Sequence, residues 1–293
     1  MSEAAVVAIH GGAGVRDGHD YTAPAAFMAG ILAHAGEQMR AGASALDLVV
    51  DLVAAMEESG LFTAGKGSSP NRDGEVELDA SLMTGHDRAA GAVAGVRDVA
   101  SPVRLARAVL ERTAHVMLAG RGAEAFADRE GFARVADARA YYRAAVDRTR
   151  RQPGAAQPHT HGTVGAVALD RHGRLAAATS TGGTLDKLAG RVGDTPLIGA
   201  ATWADARVAV SCTGHGEYFI RAAVAHDVAA RMAYRGDALA EAARAALDTV
   251  RALGGDGGLI AVDRDGNVAM PFNSGGMKRG VVRLHGAPEV AVY

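Results

Sequence analysis

The alternation of apolar and polar positions predicts the same order of elements in both halves of the chain: strands and helices, then further strands. Val6–Ile9 is a short apolar run that predicts a buried strand, and it runs into a glycine-rich segment at 10–14. Apolar residues at helical spacing over 24–41 predict a helix. Ser44 and Asp47 form a capping box that predicts the start of a second helix.

The middle of the first half continues with strands and one further helix. Polar and apolar residues alternate over 75–83, which predicts a half-buried strand, and 91–96 predicts a second strand. Ser101 at an N-cap and Pro102 at the first helical position predict a helix that runs to about Thr113.

The composition changes sharply at one junction in the chain. Residues 124–160 are rich in Arg, Asp and Glu and end in a Pro/Gly/Gln segment, so we expect an exposed linker over about 130–162. An apolar strand begins at Thr163. We interpret the bond between Gly162 and Thr163 as a cleavage site that exposes a threonine as a new N-terminus.

A free N-terminal threonine combines a hydroxyl nucleophile and an α-amine base in one residue. The reference pKa of an α-amine is about 7.7–8.0, close to the pH at which a general base works best. No side-chain base is then required. The 11 histidines show no pattern that we can assign to a Ser/His/Asp arrangement.

The second half repeats the alternation of apolar runs and turns. Its first predicted strands cover 164–169, 175–180, 197–203 and 208–212, with a hairpin turn at 170–173. Segments 217–234 and 238–253 predict two helices, and 259–270 repeats the strand–turn–strand pattern. We therefore expect an α/β fold, in which two antiparallel sheets pack together with helices outside, as one four-layer domain over 1–293.

Composition narrows the classes of function. The chain has 293 residues, of which 48% are hydrophobic and 22% charged, with a net charge of −2. No block of like charges indicates a nucleic-acid partner, and no apolar run reaches the roughly 18 residues that span a bilayer. The first ten residues lack a basic secretory signal, and Cys212 is the single cysteine, so we expect a cytoplasmic protein.

Five segments together resemble the isoaspartyl peptidase / plant-type L-asparaginase family of N-terminal nucleophile hydrolases. They occur in order and at the family's spacing over nearly the whole chain. These segments are His10–Gly14, Gly162–Thr163, Ser180–Gly183, Gly190–Asp194 and Cys212–Glu217. The resemblance implies an αββα sandwich that is cleaved into an α subunit (1–162) and a β subunit (163–293), and a homodimer of cleaved protomers, (αβ)2.

The resemblance also implies the reaction, which is hydrolysis of β-aspartyl peptides and L-asparagine to L-aspartate. Thr163 would be the nucleophile in cleavage and turnover, and Thr181 would orient it. Thr213 and the amide of Gly214 would form the oxyanion hole. No cofactor would be needed for catalysis, and Cys212 would be a small buried strand residue and not a nucleophile.

Arg191 and Asp194 would hold the substrate. An arginine binds a carboxylate with two parallel hydrogen bonds, and an aspartate three residues later can bind an ammonium group. Asparagine and β-aspartyl peptides both carry this pair of charges on one α-carbon. By analogy with the family, Gly214 and Gly216 would also contact the substrate. The competing interpretation of an isolated Arg/Asp pair is a surface ion pair without function.

The family also binds sodium through a loop of backbone carbonyls, which is chemically reasonable for a hard cation. In this chain the matching residues are Met56, Glu57, Ser59, Phe62, Ala64 and Lys66. The same loop departs from the commonest family pattern, because Thr63 stands where that pattern has asparagine. Thr63 lacks the amide that supports the cleavage junction. Leu188 and Ala189, which precede the Gly190–Asp194 segment, also differ from the family's usual residues.

Three alternatives remain open at this point. Within the same fold, the chain could be a glycosylasparaginase-like enzyme or a threonine endopeptidase. The absence of a signal and of disulfide cysteines argues against the first, and the Arg191/Asp194 pair argues against the second. An uncleaved, non-catalytic scaffold of this fold is the third, and Thr63 is the feature that favours it.

Overall fold

The computed structural model describes residues 3–143 and 162–293. The strands are β1 (Val6–His10), β2 (Leu78–Thr84), β3 (Ala90–Val96), β4 (Met117–Ala119), β5 (Val164–Leu169), β6 (Leu175–Thr181), β7 (Thr202–Ala204), β8 (Val208–Gly214), β9 (Gly257–Asp263), β10 (Val268–Ala269), β11 (Arg279–Arg283) and β12 (Glu289–Ala291). The helices are α1 (Thr22–Arg40), α2 (Ala45–Ser59), α3 (Pro102–Arg112), α4 (Gly120–Arg129), α5 (Ala138–Tyr141), α6 (Gly216–Ala222), α7 (Val224–Tyr234) and α8 (Leu239–Ala252), with a short 3-10 turn at Gly65–Gly67.

Two sheets form the centre of the molecule. The larger has the strand order β12-β11-β1-β5-β6-β2-β3-β4, and the smaller has the order β10-β9-β8-β7. Val167 and Leu169 of the larger sheet pack against Ile260 and Val262 of the smaller one. Helices α1 to α3 cover the outer face of the larger sheet, and α7 and α8 cover that of the smaller. This arrangement confirms the predicted four-layer αββα sandwich.

One edge of the larger sheet differs from the prediction. Strand β4 pairs in parallel with β3, whereas every other pairing among the described strands is antiparallel. The expectation of two purely antiparallel sheets was therefore wrong at this edge.

Helix α2 begins as its sequence predicts. Ser44 Oγ accepts a hydrogen bond from the Asp47 amide at 3.1 Å, and the helix ends at Gly60 in a left-handed conformation. Helix α3 also begins at Pro102, but Ser101 does not cap it with its side chain. The Val103 amide donates instead to Glu57 Oε1, so a buried glutamate of α2 caps α3.

Three further predictions need correction. Strand β2 is buried on both faces, since helices cover one side and the smaller sheet covers the other. Most of 197–203 forms turns, and β7 occupies only its end. The predicted helix 217–234 is two helices, because Ala223 adopts a left-handed conformation with φ 46°. Strands β11 and β12 were not predicted.

The region predicted as a linker is partly described. Helix α5 lies within it, and the buried Tyr142 donates a hydrogen bond to the Val99 carbonyl at 3.1 Å. The rest of the predicted linker, 144–161, lies outside the described residues. Among the helices that the structure describes, none is long and apolar enough to cross a membrane.

Candidate active site

The ends of three strands bring the predicted catalytic threonines to one place. Thr163 directly precedes β5, Thr181 ends the neighbouring strand β6, and Thr213 lies near the end of β8 in the facing sheet. Thr163 Oγ1 donates a hydrogen bond to Thr181 Oγ1 at 3.2 Å. The Gly183 amide donates to the same oxygen of Thr181 at 3.0 Å, which fixes the acceptor.

A small cleft opens at this point. The lining residues are Gly162, Thr163, Thr181, Gly183, Thr184, Arg191, Asp194 and Gly214. The predicted nucleophile, its partner threonine, the cleavage residue and the two charged substrate ligands thus share one cleft.

Two predicted site residues lie just behind the lining. Thr213 is fully buried beside Gly214, and its Oγ1 accepts a hydrogen bond from the Ala13 amide at 3.4 Å. Gly216 lies against the charged pair, because a Cβ at this position would be 2.7 Å from Asp194 Oδ1 and 3.0 Å from Arg191 Nη2. A side chain at 216 would therefore displace Arg191 and Asp194, the two predicted substrate-binding residues.

The Arg191 guanidinium is already bound to a carboxylate. Arg191 Nε and Nη2 donate to the two carboxylate oxygens of Glu217 at 2.9 and 3.0 Å. Partial burial acts to raise the pKa of Glu217, but the charge and hydrogen bonds of Arg191 act against it, and the pKa falls below its ordinary value. The arginine is thus preset to bind a carboxylate.

The segment that carries Arg191 is held by a buried glutamate that sequence reasoning missed. Glu77 Oε1 accepts a hydrogen bond from the Gly190 amide at 2.9 Å, and the Glu77 carbonyl accepts one from Lys187 Nζ at 2.8 Å. Asp79, two residues on, pairs with Thr181 across β2 and β6, and burial raises the pKa of its carboxyl. Lys187 is far from Glu77 and Asp79 in the sequence, so no local sequence pattern predicts that these residues lie together.

His10 is a second residue that the sequence left without a role. Its Nδ1 lies 3.1 Å from the Thr163 carbonyl oxygen, and its Nε2 lies 2.9 Å from Ser211 Oγ. Complete burial lowers the pKa of His10 to about 3, although the contact with Thr163 acts in the opposite direction. The ring is therefore neutral at ordinary pH, with one nitrogen donating and the other accepting.

The cleavage junction packs against the residue that departs from the family pattern. A Cβ added to Gly162 would overlap the Thr63 side chain, and the Thr63 carbonyl accepts a hydrogen bond from the Gly182 amide at 2.9 Å. Thr63 thus contacts Gly162, the residue before the predicted cleavage site, and also fixes the backbone that follows Thr181.

The predicted carbonyl loop is tightly coiled. A Cβ at Gly65 would lie 2.6 Å from the Glu57 carbonyl oxygen, and one at Gly67 would overlap the Phe62 carbonyl oxygen. Four of the six predicted ligands already accept hydrogen bonds from within the chain: the carbonyls of Met56, Phe62, Ala64 and Lys66. Each of these oxygens has a second lone pair that could bind a hard cation, and the sodium site stays a prediction.

Side-chain chemistry elsewhere offers few alternatives. Cys212 is fully buried, and burial raises the pKa of its thiol well above the ordinary value, which disfavours the nucleophilic thiolate. Within 3–143 and 162–293, no group of three or more His, Cys, Asp or Glu residues could hold a metal ion.

The αββα sandwich and a threonine at a strand start in this cleft define the class of N-terminal nucleophile hydrolases. The chain belongs to the asparaginase family, since the family model described as "Asparaginase" matches residues 3–292. It is 48% identical to the isoaspartyl peptidase of Salmonella typhimurium, over 99% of this chain and 98% of that protein. It is 45% identical to the isoaspartyl peptidase of Escherichia coli, over 99% and 96%. It is 37% identical to a probable isoaspartyl peptidase/L-asparaginase of Arabidopsis thaliana, over 98% of each chain.

Proposed function

We propose that this protein hydrolyses β-aspartyl peptides and L-asparagine to L-aspartate after cleaving its own chain before Thr163. The observation that carries the proposal is the shared cleft of Thr163, Arg191 and Asp194. A hydroxyl nucleophile there faces a cation and an anion, which match the α-carboxylate and α-ammonium of the substrate. Family membership and the printed names of the relatives support the same reaction.

Self-cleavage is the first step of the proposed reaction. Thr163 Oγ attacks the Gly162 carbonyl carbon, and the acyl group moves from the Thr163 nitrogen to its oxygen. Water then hydrolyses this ester, which leaves a carboxylate on Gly162 and a free amine on Thr163. The hydrogen bond to Thr181 orients the attacking hydroxyl, and the close contact with Thr63 fixes the position of Gly162.

In turnover, the free amine of Thr163 accepts the proton of its own hydroxyl as Oγ attacks the side-chain carbonyl carbon of the substrate. The Thr213 hydroxyl and the Gly214 amide stabilise the oxyanion, a contribution that is typically about 2.7–4 kcal/mol per donor. The amine then returns the proton to the leaving nitrogen, which departs as ammonia or as an amino acid. Water hydrolyses the acyl-enzyme and releases aspartate.

The protein is further proposed to form a homodimer, to be located in the cytoplasm and to bind a sodium ion. Family membership supports a homodimer of cleaved protomers, (αβ)2, which sedimentation would detect as twice the mass of one chain. The single cysteine supports a cytoplasmic location, which cell fractionation tests.

The coiled carbonyl loop supports a structural sodium ion held by Met56, Glu57, Ser59, Phe62, Ala64 and Lys66, and replacing sodium with a large organic cation should lower the melting temperature. No cofactor enters the proposed catalysis.

Intact mass and a denaturing gel test the central claim. The wild-type chain should give two fragments that divide at Thr163, and Thr163→Ala should stay full length and inactive on β-aspartyl-leucine and asparagine. Thr84→Ala, which removes a buried strand threonine far from the cleft, is the matched control and should be cleaved and active. A wild-type chain that stays uncut and inactive would support the non-catalytic scaffold, and a cleaved, active Thr163→Ala would refute the assignment of the nucleophile.

A further inference from the structure

A chain of buried polar groups runs between the two sheets beneath the catalytic threonines. We call it the polar chain. Its members, in order of contact, are the Thr163 carbonyl, His10, Ser211, Thr179, Thr202, Ser81 and the Thr195 carbonyl, and the six distances between them are 3.1, 2.9, 2.7, 2.6, 2.8 and 2.6 Å. It begins at the proposed nucleophile and ends at the residue that follows Asp194.

The strands place these groups by simple alternation. Thr179 lies two residues before Thr181 on β6, and Ser211 lies two residues before Thr213 on β8, so each polar group shares a sheet face with a catalytic threonine. Gly165 makes the space for their contact, because a Cβ at this position would overlap both Ser211 Oγ and the His10 ring. The interior beneath the cleft is therefore built from hydrogen bonds, whereas the neighbouring part of the same interface is apolar.

Counting protons shows that the polar chain cannot satisfy every contact. Four hydroxyls and a neutral imidazole supply five protons for six contacts, and the carbonyls at both ends can only accept. If His10 carries its proton on Nδ1, the Thr163 carbonyl receives a hydrogen bond, and the missing proton falls on one of the other five contacts. If the proton is on Nε2, the Thr163 end lacks one. The tautomer of His10 thus decides whether the Thr163 carbonyl, which can only accept, receives a hydrogen bond.

We infer that His10 is a positioning residue: its Nδ1–H holds the carbonyl of Thr163, and Ser211 fixes that tautomer by donating its hydroxyl proton to Nε2. The inference rests on the proposed role of Thr163 as the nucleophile. After cleavage Thr163 has no residue before it, so its carbonyl and its contact with Thr181 must fix its orientation. The ring is neutral because it is buried, and the second contact of a neutral imidazole selects the tautomer.

Nuclear magnetic resonance of the unmodified protein tests the tautomer directly. In protein labelled with ¹⁵N on histidine, two-bond ¹H–¹⁵N correlations distinguish Nδ1–H, Nε2–H and doubly protonated rings. The His10 signals are those that disappear in His10→Asn. We expect a neutral ring with its proton on Nδ1 near neutral pH. An Nε2–H tautomer or a charged ring would overturn the inference, whatever the activity of any variant.

A pair of variants tests whether the tautomer matters to the reaction. Ser211→Ala removes the donor to Nε2 and should lower kcat about tenfold with KM changed less than about twofold. Thr179→Val removes a buried hydroxyl only 2.7 Å away but leaves Ser211 able to donate to His10, so its kcat should stay within about threefold. Equal losses in the two fully cleaved variants would indicate a merely structural role and overturn the inference.

A second pair covers the case in which Ser211→Ala fails to fold. His10→Asn keeps an N–H donor near the position of Nδ1, whereas His10→Leu removes it at similar volume. We expect His10→Asn to retain several times the kcat of His10→Leu, and equal values would contradict the inference. Thr163→Ala separates a failure of the proposed function from a failure of the inference about His10. If Thr163→Ala is active, the proposed function is wrong. If it is inactive while neither pair of variants shows a difference, only the role of His10 is wrong.

Discussion

Arg191 is held by both carboxylate oxygens of Glu217, through Nε at 2.9 Å and Nη2 at 3.0 Å. The Arg191 side chain is 17% exposed and that of Glu217 is 51% exposed, so the pair lies at the cleft mouth with the carboxylate on the solvent side. This is the two-pronged geometry by which the guanidinium would bind the α-carboxylate of a substrate. Glu217 and the substrate therefore compete for the same donors.

Glu217→Gln should lower KM for L-asparagine by up to about fivefold, because an exposed ion pair contributes about 0.2–1 kcal/mol that the substrate no longer has to displace. The value of kcat should change by less than about twofold, since Glu217 is not proposed to contact the reacting bond. Steady-state kinetics on the cleaved enzyme measure both constants.

Glu111→Gln is the control for this prediction. It removes another carboxylate that is partly exposed and paired with an arginine, Arg107, and it should leave KM unchanged. A rise in KM in Glu217→Gln would show the opposite relationship, namely that Glu217 holds Arg191 in the position that binds substrate.

Glu57 should make stability depend on pH in the direction opposite to an ordinary carboxylate. Burial raises the pKa of its carboxyl from 4.5 to about 7, although hydrogen bonds from Ser101, Ser180 and the Val103 amide act against the rise. The folded state therefore binds this proton more tightly than the unfolded state. Its stabilising contribution is complete below pH 4.5 and is lost as pH rises to about 7.

Glu57→Gln isolates this effect because the amide cannot ionise. Its oxygen can accept from Ser180 and Val103, as Oε1 does now, and its nitrogen can donate to Ser101 Oγ. Between about pH 5 and 8, the free energy of unfolding of Glu57→Gln should rise relative to wild type by roughly 3 kcal/mol at most. Urea unfolding at the two pH values measures the difference, with the exposed neighbour Glu58→Gln as control. A parallel pH dependence in wild type and Glu57→Gln would contradict the raised pKa.

The sequence predicted those helices and strands that are determined by residues close together in the chain. Helix α2 follows from its apolar spacing and the Ser44 cap, which lie close together along the chain. The division of 217–234 was not visible, because Ala223 in a left-handed conformation has no sequence signature. Strand β11 was missed because its apolar centre, Val281–Val282, is too short to stand out between two arginines.

The candidate site also contains residues that the sequence alone does not predict. The change of composition at the Gly162–Thr163 junction indicated Thr163, and the resemblance to a family supported Thr163, Arg191 and Asp194. The fold places these three residues in one cleft. The resemblance included His10 in one of its five segments but assigned it no role, and the contact of His10 with Ser211 joins residues 201 positions apart. Contacts of this kind depend on the packing of two sheets, and no periodicity along a single strand records them.

Gly162→Ala should slow self-cleavage by about tenfold or more, because displacing the scissile carbonyl by even a fraction of an ångström impairs attack. A Cβ at this position would overlap the Thr63 side chain. The measurement is the fraction of full-length chain on a denaturing gel against time after synthesis. Gly122→Ala is the control, since a Cβ there meets nothing within 4 Å, and it should be cleaved at the wild-type rate. Unchanged cleavage in Gly162→Ala would mean that Thr63 does not restrict the junction.

Gly165→Ala should destabilise the protein by about 3 kcal/mol, at the upper end of the usual cost of overpacking a core. Its Cβ would overlap Ser211 Oγ and the His10 ring, and both belong to strands that cannot move apart without opening the interface between the sheets. Gly30→Ala is the matched control: it lies in α1, its Cβ meets nothing within 4 Å, and the change should stabilise by about 0.5–1 kcal/mol. Urea unfolding of both variants at one pH gives the two free energies. If Gly165→Ala were as stable as wild type, the two sheets would have to tolerate a methyl group at the contact between His10 and Ser211, and a fixed orientation of His10 could not be maintained there.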